Sequence, residues 1–327
     1  MSIQKPTIVV LIPCLNEEIT IGKVIRDFQN EIPEAQIIVF DNNSTDLTAS
    51  IANESGAKVE KELRPGKGHV MASMFRKVDA DYYVIVDGDD TYSAEHVRQL
   101  LEPVLDGSAE MSVAARLEEY TEKSFRPFHI FGNNLVRRLV NWIFRSNLTD
   151  VMSGYRACSR ELVKAVPIFS SGFEVETEFT IRTLDYGFRI MEVRVPYRKR
   201  PEGSSSKLRT FHDGLRILAE IARIAKAYKP FTFFGGIGLV LIIIGAISGI
   251  WVILDYLEDE YVNKVPTAIF STGMMLLGFG SIGIGILLNT INYRFRENLR
   301  LLQKKNNDLK WKKYNWMDKL DFSKNIS

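Results

Sequence analysis

The chain has 327 residues, enough for one sizeable domain plus an appendage. Its 42 Lys and Arg nearly balance 40 Asp and Glu, and a net charge of +2 excludes a chain-wide polyanion binder. The 2 cysteines, Cys14 and Cys158, are too few and too far apart for a disulfide framework or a thiolate metal site, and they fit a reducing compartment.

Residues 7–12 form a β-branched run ending at Pro13. That run is too short for the apolar core of a secretory signal and lacks a small-residue cleavage site, so it reads as a buried strand. Comparable runs lie at 36–40, 82–86 and 111–115, with helical spacing between them at 17–28, 46–55, 69–78 and 94–105. Strands alternating with helices predict an α/β fold, a mostly parallel sheet covered on both faces. Ligands of such sheets sit at the carboxyl ends of the strands.

Those ends carry polar residues. Pro13-Cys14-Leu15-Asn16-Glu17 follows the first strand, where the glutamate can also simply favour the helix dipole. Asp41 ends the second and can accept from a base or ribose; Ser44 or Thr45 beyond it can cap a helix. Arg64-Pro65-Gly66-Lys67-Gly68 is a glycine loop in which the backbone can approach a phosphate and Lys67 can offset its charge, though without Walker A spacing. Asp87-Gly88-Asp89-Asp90 follows the third strand run. Two carboxylates spaced i, i+2 can converge on one hard cation, Mg²⁺ or Mn²⁺, with phosphate oxygens completing the shell; a solvated acidic turn is the bland alternative.

Beyond residue 207 the character changes. Residues 211–228 place Phe211, Leu215, Leu218, Ile221, Ile224 and Ala225 on one side and Arg216, Arg223 and Lys226 on the other. That is the pattern of a basic interfacial helix, and equally of an ordinary surface helix. Residues 231–254 and 267–290 carry no charge and are long enough to cross a bilayer. Asp255, Glu258, Asp259 and Glu260 lie between them, while Arg and Lys crowd both outer flanks, so the positive-inside rule puts the N-terminal domain and the tail in the cytoplasm. Gly278, Gly280 and Gly283 spell GxGxxG inside the second apolar stretch, with no strand before it; close helix packing, with Gly245 and Gly249 adding a GxxxG pair, is the expected use. The tail 306–327 reads as either an interfacial helix or a disordered segment.

The ordered series PCLNE, DNNSTD, RPGKG, DGDD, DVMSGYR, FEVETE and RPEGSSSKL resembles glycosyltransferase family 2 with a GT-A fold, and within it the polyprenyl-phosphate glycosyltransferases, including dolichol-phosphate mannose synthases. The resemblance covers roughly residues 6–210. It implies donor contacts from Pro13, Leu15, Asn16, Glu17, Asp41, Lys67, Asp87, Gly88, Arg200, Ser206 and Lys207, and a metal held by Asp87 and Asp89. It implies acceptor-phosphate contacts from Arg116, Arg126, Ser153 and Arg156, catalytic roles for Asp89, Asp150, Arg126 and Arg156, and a place for Glu176 near them. Thr91, Ile130 and Glu174 depart from the mannose-synthase pattern, and the QxxRW signature of processive synthases is absent.

The expected organisation is a catalytic domain at 1–210, an interfacial helix at 211–230, a two-helix membrane hairpin within 231–291 and a basic tail at 292–327. The expected activity is inverting transfer of a hexose or N-acetylhexosamine from a nucleotide sugar, with UDP-glucose or UDP-GlcNAc preferred, to undecaprenyl or dolichyl phosphate. GDP-mannose transfer and a non-catalytic nucleotide-sugar scaffold are the alternatives. Expected partners are the donor, the lipid acceptor, the membrane and further copies of the chain, a tetramer being the guess; nucleic acid is not among them.

Overall fold

The computed structural model describes residues 6–116, 127–172, 174–198, 200–201, 223–261 and 263–321. It divides into two compact units, Met1–Leu215 and Arg216–Ser327. The expected interfacial helix lies mostly outside the described residues, as do Arg126, Ser206 and Lys207.

The first unit is built on a seven-stranded sheet. Its strands are β1 (Ile8–Cys14), β2 (Gln36–Asp41), β3 (Lys58–Lys61), β4 (Tyr82–Ile85), β5 (Met111–Arg116), β6 (Arg156–Ser159) and β7 (Ile190–Val195), in spatial order β3-β2-β1-β4-β6-β5-β7. All neighbours pair parallel except β6, which runs antiparallel to both β4 and β5. The mostly parallel α/β fold is therefore as expected.

Why β1 sits centrally is legible in its side chains. Val10, Ile12 and Cys14 enter one core with Val24, Ile25 and Phe28 of α1 (Ile21–Glu31). Val9 and Leu11 point the other way, into a second core with Met71 and Met74 of α3 (Lys67–Lys77). A strand covered on both faces has no polar side to show, hence the unbroken apolar run. The remaining helices of this unit are α2 (Thr48–Glu54), α4 (Val97–Leu105), α5 (Pro127–Phe144), α6 (Arg160–Ala165) and α7 (Val175–Asp185).

The second unit holds α8 (Pro230–Asp259) and α9 (Val265–Asp321). Pro230–Glu258 and Val265–Asn298 have mean hydropathies of 2.8 and 1.8 and are long and apolar enough to cross a membrane. Large apolar side chains such as Ile243, Trp251, Leu276 and Phe279 are exposed along both.

The two helices pack antiparallel as a hairpin. A Cβ added at Gly278 would lie 2.8 Å from the Gly238 carbonyl, and one at Gly245 3.0 Å from the Ser271 carbonyl. Ser271 Oγ donates to Gly245 O at 2.7 Å and Ser281 Oγ to Phe234 O at 2.8 Å, polar links that hold well where no water competes. Of the GxGxxG glycines, Gly278 lies at this contact, whereas a Cβ at Gly280 or Gly283 would meet nothing within 4 Å. At the connecting turn Lys264 pairs with Asp255 at 2.6 Å and sits 4.3 Å over the Trp251 ring. The tail backbone continues α9 as helix to Asp321.

Candidate active site

The carboxyl ends of β1, β2 and β4 lie side by side, Cys14 opposite Asp41 and Leu11 opposite Ile85. Each turn leaving this rim is made by a non-glycine residue in the left-handed region: Asn16 (φ 54), Asn43 (φ 61) and Asp90 (φ 57). Asn and Asp are the side chains that tolerate this conformation, which accounts for their abundance at the strand ends.

Asn16 ties two turns together. Its N–H donates to Ser44 Oγ at 2.9 Å and its Oδ1 accepts from Thr45 N at 2.8 Å. The Glu17 N–H donates to Thr48 Oγ1 at 2.8 Å, and the Glu17 side chain is buried beside the rim. Pro13 is buried, Leu15 half-buried, and Asp41 buried with Oδ1 accepting from Ser44 N at 3.3 Å.

Asn42, which the sequence did not single out, fixes the glycine loop. Its Nδ2 donates to the Glu62 and Arg64 carbonyls at 2.8 Å each, and its Oδ1 accepts from Gly66 N at 2.7 Å. Gly66, at φ 117, and Gly68 then lie so close to the Ser171 and Ser170 carbonyls that any Cβ would collide with them. The loop is thus clamped from two sides, and Lys67, at the start of α3, is aimed by it.

Lys67 Nζ meets Asp87 Oδ1 at 2.5 Å and also pairs with Glu176 Oε1 of α7. Burial pulls the ammonium toward neutrality, but the Asp87 and Glu176 carboxylates outweigh it and hold the pKa above the usual lysine value. Asp89, 4% exposed, accepts at Oδ1 from Thr91 Oγ1 at 2.6 Å and at Oδ2 pairs with Arg200 Nη2 at 2.6 Å. Arg200 also lies 3.8 Å from Glu17 Oε1. It reaches the rim because Tyr197 bridges to Tyr92 and Arg198 N donates to Thr91 O at 2.8 Å, laying 197–198 beside 91–92. Burial first, then the Asp87 charge, pushes the Asp89 carboxyl up; burial does the same to Glu176.

Glycines set the spacing here. A Cβ at Gly88 would stand 2.6 Å from Cys14 Sγ, and one at Gly154 would collide with the Asp87 carboxylate.

The donor set suits a hard divalent cation. Asp87 and Asp89 offer carboxylate oxygens across one glycine. Among the described residues no three His, Cys, Asp or Glu side chains form a metal cage, so a cation here would need further oxygens, as phosphate can supply.

A second polar cluster lies around the 150–156 turn. Arg116 grips Asp150 in a fork, Nε to Oδ2 at 2.6 Å and Nη2 to Oδ1 at 3.0 Å, and stands 5.5 Å from the Tyr197 ring centre. Burial opposes the Asp150 charge, but Arg116 overcomes it and holds the carboxyl below its ordinary range. Glu192 accepts from Thr149 N at 2.7 Å and Asp150 N at 2.8 Å. Ser153, fully buried, has its hydroxyl 3.1 Å from Tyr92 Oη.

Arg156 is 1% exposed, and its guanidinium donates to Ser153 O at 2.8 Å, Thr180 Oγ1 and Glu176 O at 2.9 Å, and Val151 O at 3.2 Å. An arginine so engaged organises the turn and the start of α7, and Ser153 is enclosed with it.

Residues 9–166 match the family model described as glycosyl transferase family 2. Protein RfbJ of Shigella flexneri is 46% identical over 37% of this chain and 95% of its own length. The chain belongs to glycosyltransferase family 2. Glycosyltransferase AglJ of Haloferax volcanii is 29% identical over 90% of this chain and 96% of its own, and a dolichyl-phosphate hexose transferase of that organism is 29% identical over 64% and 90%. Glucosyl-3-phosphoglycerate synthase from Mycobacterium tuberculosis, solved with Mn²⁺, UDP-glucose and phosphoglyceric acid, has 26% identity and a TM-score of 0.55, covering 68% of this chain and 79% of that one. The GT-A fold follows from this likeness. In this family 2 enzyme the matched segment ends before Glu176 and Arg200, and it is the structure that brings those two to Lys67 and Asp89.

Proposed function

We propose that this enzyme transfers a sugar from a nucleoside-diphosphate donor to a polyprenyl phosphate, with inversion, at the cytoplasmic face of a membrane. The observation that carries the reading is the Asp87–Gly88–Asp89 turn at the end of β4, set between Lys67 and Arg200. Nucleotide contacts are assigned to Glu17 and Asp41 with Pro13, Leu15 and Asn16, and diphosphate contacts to Lys67 and Arg200, joined by Ser206 and Lys207. Asp87 and Asp89 would hold Mg²⁺ or Mn²⁺, which offsets the diphosphate charge and eases departure of the nucleotide.

The acceptor needs little activation. A phosphate monoester oxygen is ionised at neutral pH, so no strong base is required, and positioning and charge complementarity do most of the catalysis. Arg116, clamped on Asp150 with 16% of its side chain exposed, and Arg126 are assigned to the acceptor phosphate by charge-assisted hydrogen bonds. Attack from the face opposite the leaving diphosphate gives the inverted anomer.

The likeness to a dolichyl-phosphate hexose transferase supports the lipid acceptor, and the two helices long and apolar enough to cross a membrane support an anchor. Basic residues on both outer flanks, Arg223, Lys226 and Lys229 before α8 and Arg294 and Arg296 in α9, support a cytoplasmic catalytic domain. UDP-glucose or UDP-GlcNAc is the preferred donor, in keeping with the UDP-glucose bound by the mycobacterial structure.

The test is a donor screen with the full chain in lipid: UDP-glucose, UDP-GlcNAc and GDP-mannose against undecaprenyl and dolichyl phosphate, with Mg²⁺ or Mn²⁺. A lipid-linked sugar of inverted configuration from a uridine donor is the expected product. Product from GDP-mannose alone reassigns the donor, and donor binding without turnover favours a scaffold.

A further inference from the structure

Lys67 is the first residue of α3 and keeps 12% of its side chain exposed. Its ammonium is shared between carboxylates of two different elements, Asp87 after β4 and Glu176 in α7. Among the described residues, ion pairs around it join Asp87 and Glu176 to Lys67, and Glu17 and Asp89 to Arg200.

A divalent cation on Asp87 would share that carboxylate with Lys67, whose ammonium holds Oδ1, and the two positive charges repel at such range. Glu176 offers the ammonium a second anchor without requiring it to leave the site. A diphosphate offers a third, with stronger charge-assisted bonds than either carboxylate alone.

We propose that Lys67 is an internal counter-cation that competes with the divalent metal for Asp87 and is drawn off by the donor diphosphate, so that metal and donor bind as a coupled pair. Glu176 is the positioning residue that holds Lys67 partly away from Asp87. The coupling is reciprocal: whatever factor the nucleotide adds to metal affinity, metal adds to nucleotide affinity. This inference rests on the donor and metal reading given above.

Mn²⁺ titration of the full chain in detergent, with free Mn²⁺ read by electron paramagnetic resonance, tests it in the absence of turnover. Titrations are run alone and with UDP or GDP. In the wild type, nucleotide tightens Mn²⁺. Lys67→Met removes the competitor, so Mn²⁺ alone binds about tenfold tighter and nucleotide adds less than before. Glu176→Gln leaves Lys67 to Asp87, so Mn²⁺ alone binds more weakly. Opposite signs in these two variants are the signature; residues that merely support the fold would weaken Mn²⁺ binding in both. Should Lys67→Met fail to fold, the Glu176→Gln titration and its response to nucleotide carry the test. Unchanged Mn²⁺ affinity in Glu176→Gln, or unchanged or weaker affinity in Lys67→Met, overturns the proposal while leaving the metal site intact. A wild type that binds no Mn²⁺ with either nucleotide overturns the metal reading itself.

Discussion

Arg200 and Arg156 are both arginines close to site carboxylates, yet they answer to different constraints. Arg200 keeps 31% of its side chain exposed and faces the Asp89 and Glu17 carboxylates, so water and a ligand can compete for its bonds. Arg156 is enclosed and bonded to backbone carbonyls from the 151–153 turn and from Glu176. The first kind of pair can change partners during a reaction. The second is tied at several points at once, to the Ser153, Val151 and Glu176 carbonyls and to Thr180 Oγ1, so moving it breaks all of these bonds together. One rim of charge is therefore exchangeable, and the turn beside it is fixed.

The sharpest way to break this contrast is to remove the fixed arginine. Arg156→Met should cost about 3–5 kcal/mol of stability, because several buried charge-assisted hydrogen bonds are lost together. Denaturant unfolding measures it, and a loss under about 1 kcal/mol would mean that the guanidinium is dispensable and the contrast false. Asp89→Ala should leave unfolding nearly unchanged but lower turnover by about 100- to 1,000-fold, as removal of a preorganised charge does. Comparable losses of stability in both variants would erase the distinction.

Gly154→Ala probes the seam between the two regions, since the new methyl group collides with the Asp87 carboxylate. A cost of about 1–3 kcal/mol is expected from such overpacking, appearing chiefly as a higher donor KM. The smallest effect concerns Glu62, whose carboxyl the Arg64 side chain holds down at about 2. Its folded pKa lies below the ordinary 4.5, so its contribution is present above pH 4.5 and fades as pH falls toward 2. The Glu62→Gln protein should lose that segment of the acid-unfolding curve, by about 1 kcal/mol given the exposed partner.

Much of the exchangeable rim was legible from local order. Asp87 and Asp89 follow an apolar run, and Lys67 stands between two glycines; both signals survive without any knowledge of pairing. Arg200 was legible only through family likeness, because its approach depends on a bridge between Tyr92 and Tyr197, far apart in sequence. The fixed turn was not legible in this way: Arg156 was placed at the acceptor phosphate by family likeness, and its enclosure follows from a position on β6, held between β4 and β5. That strand, RACS, carries too short an apolar run to announce itself, and β3, with KVEK at the sheet edge, has the same weakness. Asn42 was passed over for a related reason: its partners, the Glu62 and Arg64 carbonyls and the Gly66 N–H, belong to a loop twenty or more residues on.

The seat of the glycine loop has a practical consequence for anyone dividing this protein. The carbonyls on which Gly66 and Gly68 rest belong to Ser171 and Ser170, just past residue 166, where the family match stops. A fragment trimmed to that boundary would keep RPGKG and DGDD and lose the floor beneath the first of them. Functional grafts between relatives should therefore move 64–68 together with 170–176, as paired halves of one fitting.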